Sequence, residues 1–166
     1  MVRGKKTPSE TLLNYARVRP EPKIQRPMPE GLRKAAGTDY VLAGAVLAGV
    51  GVALGAFGAH GLKTVLSTQG LQTFETAVRY QMLHSLALVL VGILVSTWGE
   101  SPGMRRAGSF FLVGVGLFSG SLYLLLATGM TWLGAVTPFG GVALILGWFS
   151  LAAAAVRRRR LLQTGV

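Results

Sequence analysis

The chain has 166 residues, of which 51% are hydrophobic and only 14% charged, with 23 glycines, and this composition excludes an ordinary soluble domain. Its 17 basic residues against 6 acidic ones give a formal net charge of +11, yet long uncharged apolar stretches separate the charges, which reduces a nucleic-acid role to a weak alternative and leaves no nucleic-acid partner expected. With no cysteine, disulfides, thiolate metal sites, cysteine nucleophiles and thiol redox steps are excluded as well.

Residues 1–38 read as an extended, Pro-rich, basic tail. Up to residue 39 the chain holds nine basic and four acidic side chains and five of its seven prolines, with too few apolar residues to form a core. A short helix from Ser9 to about Arg17, with Ser9 as N-cap, is expected before Pro20 ends it, and polyproline-like chain follows. The tail lacks the apolar stretch and small-residue cleavage site of a signal peptide, so it is expected to stay in the mature protein. Arg17, Arg19, Lys23 and Arg26 are its candidate partner-binding residues.

Residues 39–156 read as an all-α, four-helix transmembrane domain. Tyr40 to Ala59 carries no charge over 20 residues, enough to cross a hydrocarbon core of about 30 Å. This places the first span at about 40–60. Residues 61–79, with Lys63, Glu75 and Arg79 among apolar positions at helical spacing, predict a short interfacial helix. The second span is expected at 80–98, closing on Trp98 at the depth of an aromatic belt. After a polar turn, residues 107–156 hold no charged side chain, too long a stretch for one crossing. A break at Thr128 to Trp132 divides it into spans at about 107–127 and 133–156. Residues 157–166 form a basic C-terminal tail.

Translocation disfavours lysine and arginine in short loops. Four spans put fifteen basic residues on the side of both termini and two, Lys63 and Arg79, on the other. Both termini are therefore predicted to be cytoplasmic, in a bacterial inner membrane or its organellar equivalent. Arg157, Arg158, Arg159 and Arg160 read as a topology anchor, with anionic lipid head groups as their alternative partners.

Small and polar residues within the spans are the candidates for function. Gly51 and Gly55 form a GxxxG pair in the first span, and Gly116 and Gly120 form another in the third. Such faces let helices approach closely, either within one subunit or against a neighbour. Intramembrane polar groups are costly unless paired. His60, Arg79, Tyr80, Gln81 and His84 are expected near the non-cytoplasmic interface as one polar cluster, with Glu75 able to pair with Arg79. The bland reading of that cluster is ordinary hydrogen bonding, and the sharp one is a site for a metal, haem, quinone or proton. Ser119, Ser121, Tyr123, Thr137 and Pro138 form a second polar set, read as local back-bonding. No phosphate loop, GxSxG elbow, HExxH or Walker sequence is present. The expectation is no catalytic residue, no resident metal or cofactor and no enzyme.

Four blocks, LGAFGAHGL at 54–62, YQMLHSLAL at 80–88, LFSGSLYLL at 117–125 and WLGAVTPFGGVALILGW at 132–148, resemble the domain-of-unknown-function family 423. That family includes small bacterial inner-membrane proteins and transmembrane protein 256 of animals. The resemblance covers residues 40–156 and implies a four-helix membrane protein, while offering no activity and no catalytic role to any residue. The tail has no counterpart in it. The functional expectation is a non-catalytic accessory subunit of a larger membrane complex, as in a respiratory or photosynthetic chain, with the tail gripping a partner. The alternatives are a small transporter or redox or proton-conducting module using His60 and His84, and an organiser of anionic lipid.

Overall fold

The computed structural model describes residues 30–165. The expected helix at Ser9 to Arg17 and the candidate residues Arg17, Arg19, Lys23 and Arg26 lie outside the described residues. The protein is an all-α membrane protein built on four long helices: α1 Glu30–His60, α2 Thr68–Trp98, α3 Pro102–Thr128 and α4 Thr137–Gln163. All four are long and apolar enough to cross a membrane.

Each helix runs beyond its uncharged window. α1 is already helical at Glu30, the first described residue, rather than only from near Tyr40. Charge ends the hydrocarbon span without ending the helix. In the same way residues 61–79 do not make a separate interfacial helix. A turn follows His60, and α2 then starts at Thr68 and runs unbroken to Trp98. The Ser67 hydroxyl caps it by accepting from the Gly70 N–H at 3.1 Å. Ser101 caps α3 by accepting from the Met104 N–H, and Pro102 occupies the first turn where its missing N–H costs nothing. Gly129, in the left-handed region at φ 71°, ends α3 and returns its N–H to the Leu125 carbonyl. The break expected at 128–132 falls at Gly129 and Met130 and leads into a short 3₁₀ turn, Thr131–Ala135, before α4. α4 then continues through Arg157 to Arg160 to Gln163.

Water does not drive these helices together within a bilayer, so close backbone packing and hydrogen bonds must. α1 packs along α2 and α3 along α4, as two antiparallel hairpins joined through α2 and α3. On α1, Gly37, Gly44, Gly51 and Gly58 recur every seven residues and all face α2. A methyl group at Gly44 would stand 2.6 Å from the Ser85 carbonyl oxygen, and one at Gly51 2.6 Å from the Met82 sulfur. Gly92 of α2 answers from the other side, meeting the Gly37 carbonyl. A seven-residue repeat keeps one face toward a neighbour in left-handed packing. The second hairpin uses the same device: Gly140 lies against the Phe118 backbone, Gly147 against the Phe111 ring and Gly103 against Ala154. The side-chain core proper lies among α2, α3 and α4, around Leu88, Val91, Val95, Phe111, Val115 and Leu144. Among the described residues, α1 contributes half-buried Ala36, Tyr40 and Leu47 to it.

Candidate functional site

The polar groups at membrane depth converge on one face of α2. Gln81 and His84, one turn apart, are both buried, at 4% and 3% exposure. Gln81 donates from Nε2 to the Leu47 carbonyl on α1 at 2.8 Å, and its Oε1 accepts from the Tyr123 hydroxyl on α3 at 2.9 Å. The neighbouring Ser119 hydroxyl donates to the Ala77 carbonyl across the α2–α3 contact at 2.8 Å. Gln81 thereby ties three helices together.

His84 ties in the fourth. Its Nδ1 donates to the Tyr80 carbonyl at 2.8 Å, and its Nε2 accepts from the Trp148 indole N–H on α4 at 3.2 Å. An accepting Nε2 requires the neutral ring with its proton on Nδ1. Aromatic rings enclose the pair: Tyr80 stacks on Phe118 with centroids 4.3 Å apart, and Phe111 lies edge-on to Trp148 at 5.1 Å. Every polar atom named here has a partner, as buried groups in native structures do.

Of the five residues expected in one cluster, Tyr80, Gln81 and His84 come together, while His60 and Arg79 do not. Gly58 faces Phe74 and Gly44 faces Ser85, and this antiparallel register sets exposed His60 level with the first turns of α2. His84 then lies deeper by about twelve residues of helix, roughly 18 Å. Arg79 is exposed, and with Glu75 it lines a recess of about 240 Å³ between α1 and α2. The expected Glu75–Arg79 ion pair is not formed. The second polar set also divides differently from its reading. Ser121 does bond back to the Phe118 carbonyl and reaches Thr137 at 2.9 Å, but Ser119 and Tyr123 bond across to α2 and belong to the Gln81 site.

What the site can do follows from what its atoms are already doing. Both His84 nitrogens are engaged, so a metal or haem iron would have to displace the Trp148 indole. Among the described residues no three His, Cys, Asp or Glu side chains come together to hold a metal ion. The recesses of about 170 to 780 Å³ between helix ends are not lined by Gln81 or His84. The arrangement is a polar tie through the middle of the bundle. Trp148 and the Leu47 carbonyl were beyond sequence reasoning, the first because an indole looks like any apolar residue, the second because a backbone acceptor leaves no trace in a sequence.

The two glycine pairs part company. Gly51 and Gly55 face Met82 and Val78 of α2 within the same chain, whereas Gly116 and Gly120 have nothing within 4 Å of where a side chain would begin. Val113, Leu117 and Leu124 stand exposed beside them on α3.

A family model described as "Protein of unknown function (DUF423)" matches residues 54–141. The UPF0382 membrane protein YwdK of Bacillus subtilis (strain 168) is 42% identical over 118 residues, which cover 71% of this chain and 96% of that protein. The UPF0382 membrane protein SH2409 of Staphylococcus haemolyticus is 43% identical over 112 residues, covering 68% of this chain and 90% of its own. A UPF0382 membrane protein of Haemophilus influenzae is 41% identical over 101 residues, 61% of this chain and 80% of the relative. No solved structure matches the chain.

Proposed function

The chain belongs to the DUF423 family of membrane proteins, and we propose that it acts as a non-catalytic accessory subunit of a larger membrane complex. The observation that carries this reading is the open glycine face of α3. A glycine within a helix costs about 0.5–1 kcal/mol relative to alanine, and it is worth that cost where another backbone comes close. Gly44 and Gly140 have such a neighbour within the chain, and Gly51 and Gly147 have a close side chain there. Gly116 and Gly120 have none there, and a helix of another subunit would supply it. The internally satisfied polar tie supports the same reading, since a rigid bundle with its buried polar groups spent on one another suits a packing role.

The basic bias supports an orientation with both termini in the cytoplasm of a bacterial inner membrane. In that orientation Arg17, Arg19, Lys23 and Arg26 would meet acidic surfaces of the partner, and Arg157 to Arg160 would meet anionic lipid. The test is purification from native membranes in mild detergent. The wild-type chain is expected to carry a stoichiometric partner that Gly116→Leu/Gly120→Leu loses. A solitary protein in both cases would overturn the reading.

A further inference from the structure

A second feature lies at the end of the bundle where α4 outruns α3. Gly103 meets Ala154, with a methyl group at Gly103 placed 3.0 Å from the Ala154 side chain. α3 has reached its first turn there, but α4 continues to Gln163. The overhang is about nine residues, roughly 14 Å, and it leaves a recess of about 780 Å³ between the two helix ends. Arg106 of α3 and Arg157 and Arg160 of α4 line it. None of the three forms an ion pair with a described carboxylate. Glu100, in a smaller recess of about 170 Å³ beside Arg157 and Arg158, is no exception.

The wall changes character along α4. Ala153 and Val156 line the part toward the membrane, and Arg157 and Arg160 line the part about one turn further out. We propose that this recess binds the phosphate head group of one anionic membrane phospholipid, with its glycerol and first methylenes against Ala153 and Val156. Three guanidinium groups with no carboxylate partner among the described residues match phosphate oxygens by charge and by their forked donors. Ala153 and Val156, about one turn inward of Arg157 and Arg160 on α4, are the reason to assign a lipid rather than free phosphate, which would gain nothing from them. The site needs only the membrane, so it stands whether or not a partner subunit occupies the α3 face.

The test uses the full chain in a non-ionic detergent, with native mass spectrometry during titration by phosphatidylglycerol, by phosphatidylcholine of the same acyl chains, and by inorganic phosphate. One phosphatidylglycerol per chain is expected to be retained, in preference to phosphatidylcholine. Two variants that remove equal charge separate a site from a diffuse basic belt. Arg157→Gln/Arg160→Gln empties the recess of two charge-assisted donors and should weaken retention about a hundredfold. Arg158→Gln/Arg159→Gln, whose side chains line a different recess beside Trp98, should weaken it by less than about tenfold. Equal losses in the two pairs would overturn the site, as would equal retention of phosphatidylcholine. Inorganic phosphate that binds as well as the lipid would overturn the lipid assignment.

Discussion

Gly44→Ala and Gly49→Ala make the same chemical change five residues apart on α1, and the packing requires opposite outcomes. A methyl group at Gly44 would lie 2.6 Å from the Ser85 carbonyl oxygen, 2.8 Å from a Val89 methyl and 2.9 Å from the Val89 nitrogen. Two of those neighbours are backbone atoms that no rotamer change can move. Ordinary contact needs roughly 3.4–4 Å, so α1 and α2 must part by about 1 Å, and overpacking of this kind costs about 1–3 kcal/mol. The same movement lengthens the nearby Gln81–Leu47 bond from 2.8 Å past useful range, adding about 0.6 kcal/mol. A methyl at Gly49 meets nothing within 4 Å, and alanine there recovers up to about 1 kcal/mol of helix propensity. Unfolding in mixed micelles of increasing SDS fraction, followed by the fluorescence of Trp98, Trp132 and Trp148, reads both changes. Less the same propensity gain, Gly44→Ala should still be destabilised by about 1–3 kcal/mol, with Gly49→Ala unchanged or slightly stabilised. Equal effects at the two positions would refute the proposed α1–α2 interface.

The polar tie makes its own predictions. In a double-mutant cycle of Gln81→Leu and Tyr123→Phe, the coupling should be about 0.6 kcal/mol, within the upper bound of about 1.7 kcal/mol known for interhelical bonds in membranes, and additivity would show that the bond contributes nothing. Nitrogen NMR of labelled histidine should show His84 protonated on Nδ1 and bare on Nε2, with Trp148→Phe shifting the Nε2 signal; a proton on Nε2 would contradict the Trp148 bond. Because the chain has no cysteine, single cysteines report topology cleanly. In intact cells Lys63→Cys should react with an impermeant maleimide, and Gln163→Cys should react only after lysis; the reverse pattern would invert the orientation.

The four spans were legible because a bilayer imposes a length that uncharged sequence must meet, and the chain meets it four times. Helix ends were not, because Glu30, Thr68 and Arg160 are helical for reasons of backbone hydrogen bonding that hydropathy does not measure. The GxxxG spacing drew attention to Gly51 and Gly55. Counting by sevens instead reveals Gly37, Gly44, Gly51 and Gly58, the register that an extended antiparallel contact uses. Grouping His60 with His84 failed on depth. Sequence places both on the half of the bundle away from the termini, and only the pairing of Gly58 with Phe74 and Gly44 with Ser85 shows the distance between them. Gln81 and His84 were visible as costly polar residues, but their partners were a carbonyl on α1, a hydroxyl on α3 and an indole on α4, brought together only by the packing.

The open face of α3 is the feature on which the functional reading stands, and a photoreactive amino acid at position 116 or 120 probes it in place. Irradiation of native membranes should produce a cross-link to another membrane protein, and the same residue at position 42, where α1 exposes a leucine rather than a glycine, should not. Adducts to lipid alone at positions 116 and 120, or a cross-link no stronger than at position 42, would contradict the subunit role.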